Sequence, residues 1–548
     1  MPNSLLPSLL AAALSTTPFI AAGEAARPNI ILIMVDDMGY SDIRPYGGEI
    51  DTPNLDSLAR NGLRFTQFYN SARCCPTRAT LMTGLHPHQV GIGHMTAESA
   101  PAAAAKRPPA YAGNINDSCV TLGQVAKSAG YATFMTGKWH LSGTDQADWP
   151  LQRGFDRYYG CLAGAIHYFA PYGDRILYDG NQPDPTPKST TDRPFYTTDA
   201  FADHAIRFID DHKTGEAKEK PFFLYLAFNA PHWPLHVPDQ ELAKYRGKYR
   251  IGWDQLRDQR YQRQLASGLI PAAWKLSPRD PAVPAWDTLD EKQQAACDLR
   301  MAAYAGMIDR VDQNLGNLLA TLKKHGAFDN TLILFLSDNG ACAEGQLLGG
   351  GDPIADRAPN TPLNQLSYGT GWANASNTPY RLYKHFAHQG GANTPFIAHW
   401  PARIKPGRDW YREPAQLIDV MATVVDLTGA TYPATFNGNP ILPIDGIPLT
   451  PAFDGKSLAR KSPLFIEHED NAFVRDGAWK LVGRGVSPAK GLQKSKWELY
   501  NIEADGTELH NLAAEKPEQV ATLSAQWETW AKRVGVFPKV EPKAKPAK

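Results

Sequence analysis

The sequence predicts an α/β fold, in which a large mixed, mostly parallel sheet is flanked by helices and followed by a smaller C-terminal α+β domain. Short apolar runs recur at long intervals and fit buried strands, at residues 30–35, 222–228, 332–336 and 395–400. Helical patterns lie between them, and the clearest carries Met307, Val311, Leu315, Leu318 and Leu322 on one face before Gly326. Strands that alternate with helices indicate α/β layers.

The C-terminal part has a different pattern, since the apolar segments after about Pro451 are short and closely spaced, at residues 463–467, 472–481 and 497–502. A helical pattern follows, with one face formed by Val520, Leu523, Trp527, Trp530 and Val534. The predicted units are therefore a signal peptide over residues 1–26, the large domain over 27–450, a subdomain with a small antiparallel sheet and helix over 451–535, and a disordered tail over 536–548.

Composition and charge exclude several classes of protein. The chain has 548 residues, of which 43% are hydrophobic and 20% charged, so collagen-like, coiled-coil and wholly disordered architectures are excluded. The 56 Lys and Arg residues balance 56 Asp and Glu residues, which gives no long-range attraction for nucleic acid. Six cysteines are too few for a disulfide scaffold. The composition fits an enzyme-sized folded protein.

The N-terminus predicts export. Residues 1–26 contain an apolar stretch followed by the small residues Ala21 and Ala22, which is typical of a signal peptide and its cleavage site. A poorly ordered tail is the alternative, because the stretch has no preceding Lys or Arg and contains Pro7 and Pro18. No run of about 18 apolar residues follows, so no transmembrane segment is predicted after the signal.

Polar residues follow three of the apolar runs. Asp36 and Asp37 follow the first run, Asp338 and Asn339 follow the run at 332–336, and His232 lies after the run at 222–228. Ligands of open α/β sheets bind outside the carboxyl ends of the strands. Three carboxylates brought together there would repel, and a hard divalent cation such as Ca²⁺ or Mg²⁺ resolves the repulsion. Taken singly, each pair is more typical of a turn or a helix cap.

The segment from Cys74 to Gly84 predicts a short helix with a cysteine at its N-terminus. Pro76 suits the first turn, and Gly84 suits the end of the helix. Free backbone N–H groups at such a terminus favour an anion, and a cysteine there is typical of a low-pKa nucleophile. The alternative is a buried structural thiol or a disulfide between Cys74 and Cys75.

Three further segments offer cations and proton carriers. Lys138 and His140 are two apart after a segment of strand character, so they share a face and can supply a fixed charge and a proton. Alone, such residues are usually solvated. His232 and Lys384, taken singly, are more typical of surface residues.

Together these residues resemble the sulfatases of the alkaline phosphatase superfamily, over about residues 27–534. The signature is Cys74-x-Pro76-x-Arg78 followed by Thr83-Gly84, in one order with Asp36-Asp37, the Gly-Lys-x-His segment at 137–140 and Asp-Asn-Gly at 338–340. The register selects Cys74, because only Cys74 has Pro at +2 and Arg at +4. The stretches at 252–286 and 369–391 look like the bacterial arylsulfatase branch.

The resemblance implies a modified nucleophile and a metal. A formylglycine-generating maturation enzyme would oxidise Cys74 to formylglycine (3-oxoalanine), whose hydrate is a gem-diol. One Ca²⁺ per chain would be bound by the residues that match the family's ligands, Asp36, Asp37, Asp338 and Asn339. Arg78 would hold the hydrated aldehyde, Lys138 would bridge it to the sulfate, and Lys384 would bind the sulfate and the bridging oxygen.

The implied reaction is hydrolysis of a small sulfate ester to an alcohol or phenol and inorganic sulfate, with aryl sulfates as the first expectation and alkyl sulfates as an additional class. The natural substrate stays open among steroid, simple phenol, alkyl and sugar sulfates. A gem-diol hydroxyl, losing its proton to Asp338, attacks sulfur and forms a covalent sulfoenzyme. His232, which also contacts substrate and is helped by Lys384, assists departure of the alcohol. His140 then accepts the proton of the second hydroxyl as sulfate leaves.

Two other functions stay open at the level of sequence. One is a phosphonate monoester or phosphodiester hydrolase of the same superfamily; the other is an inactive Ca²⁺-binding module for sulfated ligands, if Cys74 is not matured. Aromatic residues near the motifs either line an apolar pocket or, more typically, belong to the core: Tyr168, Trp233, Trp372 and Tyr380. We expect a monomer, exported to a periplasm or secreted. The five cysteines other than Cys74 are an odd number, so at least one should lack an intrachain partner.

Overall fold

The computed structural model describes residues 27–96, 107–143, 145–188, 193–357, 366–486 and 495–538. The predicted signal peptide over residues 1–26 and the last ten residues of the predicted tail lie outside these ranges. The first residues of that tail, Val536 and Phe537, pack against the preceding helix, with Val536 fully buried. Within the described ranges, no helix combines the length and apolar character needed to cross a bilayer.

The described strands form one ten-stranded sheet, one four-stranded sheet and a two-stranded ribbon. In chain order they are β1 (Asn29–Val35), β2 (Leu63–Tyr69), β3 (Ala132–Lys138), β4 (Arg157–Cys161), β5 (Leu177–Asp179), β6 (Gln182–Asp184), β7 (Phe222–Ala227), β8 (Thr331–Ser337), β9 (Asn393–His399), β10 (Ala415–Gln416), β11 (Thr435–Phe436), β12 (Asn439–Pro440), β13 (Leu464–His468), β14 (Asn471–Asp476), β15 (Trp479–Arg484) and β16 (Lys496–Asn501).

The α-helices of the described ranges lie mainly on the two faces of the large sheet. They are α1 (Pro53–Arg60), α2 (Cys74–Thr83), α3 (Leu122–Ser128), α4 (Thr197–Thr214), α5 (Asp239–Tyr245), α6 (Gly252–Ala266), α7 (Glu291–Lys324), α8 (Gly369–Ser376), α9 (Gln389–Ala392), α10 (Ile418–Thr428), α11 (Thr450–Phe453) and α12 (Pro517–Val534). The predicted apolar face of α7 is buried, and the helix ends two residues before Gly326, whose φ is +64°.

The large sheet has the order β10-β2-β9-β8-β1-β7-β3-β4-β5-β6. Its centre is parallel, since β1 pairs in parallel with β7 and β8, and β3 pairs in parallel with β7 and β4. Strand β9 is antiparallel to both of its neighbours, which makes the sheet mixed. The predicted fold class is therefore confirmed.

Alternation along the central strands fills two cores. In β1, Ile31, Ile33 and Val35 point into the core that contains α7, whereas Ile30, Leu32 and Met34 point into the core that contains α2. A strand with both faces covered reads as a continuous apolar run, which is the pattern that residues 30–35 show. The sheet is thereby fixed between helical layers, and the carboxyl ends of its central strands face one edge.

The C-terminal sheet is antiparallel, in the order β13-β14-β15-β16. Helix α12 covers one face, where Leu523, Trp527 and Val534 pack. The other face meets the large domain through Leu464, Ile466 and neighbouring residues. The segment at 472–481, which reads as a single apolar run, is a hairpin that turns at Gly477, where φ is +56°.

Candidate active site

The chemistry-bearing residues converge at the carboxyl edge of the central strands. Asp36 and Asp37 follow β1, Asp338 and Asn339 follow β8, and Lys138 ends β3. These strands lie in the order β8-β1-β7-β3, so their ends are neighbours in space. The location agrees with the rule for ligand sites in open α/β sheets.

Asp36, Asp37, Asp338 and Asn339, which we name the oxygen cluster, form one buried group with exposed fractions of 1% or less. The backbone N–H of Asp37 donates to Oδ1 of Asp338 over 3.1 Å, and Nδ2 of Asn339 donates to Oδ1 of Asp37 over 2.7 Å. Oδ1 of Asp36 and Oδ1 of Asn339 are fully buried and accept no hydrogen bond in the described structure. Two orphaned oxygens within an all-oxygen set are what a hard cation would need, so these residues fit a divalent metal.

Three cations surround the oxygen cluster. Nη2 of Arg78 lies 3.2 Å from Oδ2 of Asp36 and 3.1 Å from Oδ2 of Asp338. Lys138 forms an ion pair with Asp36, and Nζ of Lys384 lies 2.8 Å from Oδ1 of Asp37. All three cations are buried. A buried charge is tolerated only when it is paired, so the cations and carboxylates hold each other in place.

Electrostatics within this group differ from one carboxyl to the next. Burial raises the pKa of Asp36, but nearby cations, Lys138 first among them, outweigh burial and lower this pKa to about 2. The pKa of Asp338 is raised well above its ordinary value, by burial first and then by the charge of Asp36. Of the two carboxyls, Asp338 is therefore the one whose pKa is raised by the repulsion among neighbouring carboxylates that the sequence implies.

Helix α2 begins at Cys74, as the sequence predicts. Pro76 lies in its first turn, and Gly84 closes the helix in the left-handed region with φ +69°. A Cβ on Gly84 would also come within 2.4 Å of Met421, so only glycine fits this position. The Cys74 thiol is thereby held at the N-terminus of a buried helix beside the strand ends.

The two adjacent cysteines have opposite acidities. The pKa of Cys74 is lowered well below its ordinary value, by contact with Cys75 first and then by the charges of Lys138 and His140, which outweigh burial. Burial raises the pKa of Cys75. All six cysteines are free thiols, whereas the sequence required only one of them to lack an intrachain partner. The alternative of a disulfide between Cys74 and Cys75 is therefore absent from the described structure.

His140 faces Cys74 from the segment after β3. The sulfur atoms of Cys74 and Cys75 and a ring nitrogen of His140 lie within 4.8 Å of one another. His140 adopts φ +54°, which is uncommon for a residue with a side chain. A Cβ on Gly164 would approach the His140 ring to 2.7 Å, so the ring needs glycine opposite it. Gly164 has no motif that marks it in the sequence.

His232 and Lys384 are buried, with exposed fractions of 5% and 2%, so the surface interpretation of each residue alone is wrong. The hydrogen bond of 2.6 Å between Nδ1 of His232 and the Trp233 carbonyl places the Nδ1 proton there. Nε2 of His232 consequently faces Asp37, 3.5 Å from Oδ2. Burial lowers the pKa of His232. Because His232 lies in a loop after β7, its burial could not be predicted from the residue alone.

A cavity of about 250 Å³ opens over Cys74. Its walls include Arg73, Cys74, His140, Gly164, Arg175, His232, Trp233, Glu344 and Lys384. Sequence reasoning missed Arg73, Arg175 and Glu344, because single charged residues outside motifs look like solvated surface. Glu344 is held between Arg73 at 2.7 Å and the Trp233 indole N–H at 3.0 Å. Among the named aromatic residues, Trp233 lines the cavity, whereas Tyr168, Trp372 and Tyr380 are core.

Comparisons with known proteins agree with this geometry. The family model described as Sulfatase matches residues 28–430. The chain is 34% identical to an uncharacterised sulfatase of Schizosaccharomyces pombe, over 94% of this chain and 96% of that protein. It is 34% identical to an arylsulfatase of Klebsiella aerogenes, over 81% of this chain and 96% of the relative. It is similar to the crystal structure of Ps i-CgsB in complex with k-i-k-neocarrahexaose, with a TM-score of 0.66 and 25% identity over 94% and 95% of the two chains.

Proposed function

The chain belongs to the sulfatase family and is a sulfuric ester hydrolase, and from this premise we propose that it hydrolyses aryl sulfates with a formylglycine made from Cys74 and a Ca²⁺ bound by the oxygen cluster. Sulfatases generally use a formylglycine and a divalent metal. The single observation that carries the proposal is the position of Cys74, which lies under the cavity between His140 and the cations.

The oxygen cluster is the proposed metal site. Its four residues offer only oxygen ligands, and Asp36 and Asn339 each keep one buried oxygen without a hydrogen bond. Hard oxygen ligands favour Ca²⁺ or Mg²⁺ over zinc. When bound, the ion would supply positive charge next to the reacting group and compensate the three carboxylates.

The protein's own cations would bind the sulfuryl group. A sulfate ester carries one negative charge, and more charge develops on the leaving oxygen during hydrolysis, so fixed cations stabilise the transition state. The pKa of Lys384 is raised well above its ordinary value, because the charges of Asp37 and its neighbours outweigh burial. The pKa of Lys138 is raised for the same reason by Asp36. Both amines therefore stay protonated. Arg78 would orient the hydrated aldehyde formed from Cys74.

Asp338, His232 and His140 are the proposed proton carriers. Asp338 directly follows β8 and lies beside Arg78, and as a carboxylate of the proposed metal site it would accept the proton of the nucleophile. His232 lines the cavity with its Nε2 3.5 Å from Oδ2 of Asp37, and a lowered pKa makes its protonated form a better donor to the leaving oxygen. His140 lies beside Cys74 and would take the proton that releases the sulfate.

The cavity limits the proposed substrate. A volume of about 250 Å³ lies just below the usual range of ligand pockets and suits a sulfate with a single ring. Trp233 provides an aromatic wall for that ring, and Arg73 and Arg175 also line the cavity. The K. aerogenes relative is an arylsulfatase, which supports a phenolic leaving group. The named relatives and neighbours do not favour a phosphodiesterase or an inactive binding module.

The test compares two esters with the same leaving group. We expect the matured, Ca²⁺-loaded protein to release phenol from para-nitrophenyl sulfate with a kcat/KM at least about 100-fold above that for bis(para-nitrophenyl) phosphate. A sulfated oligosaccharide offered in parallel should be the poorer substrate. Preferential cleavage of the phosphate diester would contradict the assignment, and preferential cleavage of the oligosaccharide would contradict the single-ring substrate.

We further propose that the chain is exported and acts as a monomer after Cys74 has been oxidised by a formylglycine-generating enzyme. The composition of residues 1–26 supports export. N-terminal sequencing of protein from the periplasmic fraction should start near residue 27, and light scattering should give the mass of one chain. A retained N-terminus in the cytoplasmic fraction would overturn the export proposal.

A further inference from the structure

A second group of ionisable side chains lies at the seam between the two sheets. His385, His468 and Glu469, which we name the imidazole cluster, have ligand atoms within 4.8 Å of one another. His385 belongs to the loop between α8 and α9, where its backbone N–H donates to the carbonyl of Ala72 over 2.9 Å. His468 and Glu469 belong to the end of β13 and the tight turn before β14. Two separate chain segments therefore bring the three side chains together.

His468 is the buried member of the imidazole cluster. Its side chain has no exposed surface, and neither ring nitrogen makes a hydrogen bond in the described structure. Nε2 lies 3.6 Å from Oε1 of Glu469, beyond hydrogen-bond distance. Burial lowers the pKa of His468 to about 3, so the ring is neutral and keeps a lone pair. A buried imidazole without partners costs free energy, which a bound metal would recover.

Glu469 is an ionised carboxylate at the centre of the group. Oε2 lies 2.9 Å from Nδ1 of His385, and Oε1 lies 2.9 Å from Nε2 of His94. Burial raises its pKa, but hydrogen bonds from His385 and His94 lower that pKa far below its ordinary value. The carboxylate thus carries the negative charge that a divalent cation requires.

His94 positions Glu469 and is excluded as a ligand by its tautomer. The backbone N–H of Met95 donates to Nδ1 of His94 over 2.7 Å. Nδ1 therefore keeps its lone pair for that bond, and the proton of the neutral ring lies on Nε2, which donates to Glu469. The side chain of His94 is also about half exposed.

A carboxylate, Glu344, lies near the outer nitrogen of His385, where metal-binding histidines often have one. The Nε2 of His385 accepts a hydrogen bond from Nη1 of Arg73 and lies 3.7 Å from Oε1 of Glu344, while its Nδ1 donates to Oε2 of Glu469 over 2.9 Å. With Nδ1 bound to a metal, the ring proton moves to Nε2, and Arg73 must then release Nε2 and keep its ion pair with Glu344, which already spans 2.7 Å. A carboxylate behind a ligating histidine orients the ring and raises its basicity.

We propose that His385, His468 and Glu469 form a second metal site, which binds a borderline divalent ion of the zinc class through two imidazole nitrogens and one carboxylate oxygen. Two imidazoles and a carboxylate suit zinc, with a water in the fourth position. Tetrahedral zinc needs ligand atoms about 3.3–3.5 Å apart, so small side-chain movements close the site. The oxygen cluster has no nitrogen ligand among its four residues and should prefer Ca²⁺.

Zinc titration of the full-length, Ca²⁺-loaded protein tests the site. A Cys74→Ala background weakens the competing group of Cys74, Cys75 and His140, whose ligand atoms also lie close together. In competition with a chromogenic chelator, we expect one Zn²⁺ per chain, with affinity reduced at least about 100-fold by His468→Gln and by Glu469→Gln. Co²⁺ should give the visible absorption of a four-coordinate site in the background protein and lose it in both variants.

The matched control is His399→Gln. His399 is also buried with a ring nitrogen that lacks a partner, but it ends β9 at the opposite edge of the sheet. We expect the zinc affinity of the His399→Gln variant to equal that of the Cys74→Ala protein. Zinc should raise the melting temperature of the background and of His399→Gln but not of the two cluster variants. If His468→Gln fails to fold, Glu469→Gln decides. Equal zinc affinity in folded Glu469→Gln and in the background, or no zinc binding at all, overturns the proposal.

Discussion

The oxygen cluster and the imidazole cluster lie on either side of one loop, because two adjacent residues of this loop contact one cluster each. Lys384 turns to Asp37 of the oxygen cluster, whereas His385 turns to Glu469 of the imidazole cluster. The first cluster lies at the ends of the central strands and offers four oxygen-bearing side chains among three cations. The second lies against the C-terminal hairpin and offers two imidazoles and one carboxylate.

The difference shows how the type of ligand atom determines which metal each region would bind. Buried oxygens crowded among fixed cations suit a hard metal and an anionic ester, which is the requirement for sulfate transfer. Two imidazoles around one carboxylate suit a softer metal than the oxygen cluster does. Glu344 connects the regions, because it lies between Arg73, Trp233 and His385.

The largest expected effect is at Cys74. Unmodified Cys74→Ser has a single hydroxyl and cannot complete the release of sulfate, so we expect a loss of turnover of about 10⁴-fold, measured as sulfate release after any first turnover. Cys75→Ser, at the neighbouring buried position, should stay within about tenfold of the parent. Sustained turnover by unmodified Cys74→Ser would remove the proposed role of the aldehyde.

Removal of the proposed Ca²⁺ should have the next largest effect. Treatment with a Ca²⁺-selective chelator should lower kcat/KM by at least about 10³-fold, since three buried carboxylates would then face the substrate anion. Added Ca²⁺ should restore the rate, and added Zn²⁺ should not. Restoration by Zn²⁺ alone would break the contrast between the two clusters.

Lys384→Ala should reduce kcat/KM by about 10²–10³-fold, because the charged amine contacts both the metal site and the cavity. We expect KM to rise and kcat to fall together in steady-state kinetics. Lys461→Ala provides the control, because this exposed lysine does not line the cavity over Cys74 but lines a separate cavity between the large domain and the C-terminal sheet. An unchanged kcat/KM in Lys384→Ala would show that this lysine serves only structure.

The smallest effect concerns acid stability outside both clusters. His204 stacks on Tyr159, and burial lowers its pKa from 6.5 to about 4. The folded protein therefore binds fewer protons than the unfolded chain in this interval, so stability is fully present above pH 6.5 and falls toward pH 4. His204→Gln should reduce the loss of unfolding free energy between pH 6.5 and pH 4 by about 2 kcal/mol, measured by thermal unfolding across that pH range. An equally steep loss in the variant would place the acid sensitivity elsewhere.

The sequence predicts the oxygen cluster far better than the imidazole cluster for a physical reason. Asp36, Asp338 and Lys138 each directly follow or end a buried strand, so the order of strands and polar residues already places them at one edge. His385 and His468 are separated by more than 80 residues and meet only because β13 and β14 pack against the large domain. Gly164 and Glu344 depend on a loop geometry that no local pattern encodes.

The central claim is that oxidised Cys74 performs the hydrolysis. The most direct measurement is the mass of the peptide that contains Cys74, from protein preparations matured to different extents, paired with the rate of sulfate release from para-nitrophenyl sulfate. The account predicts a peptide about 18 Da lighter than the cysteine form and a rate proportional to the converted fraction. A rate that is independent of conversion, or full conversion without sulfate release, would contradict it.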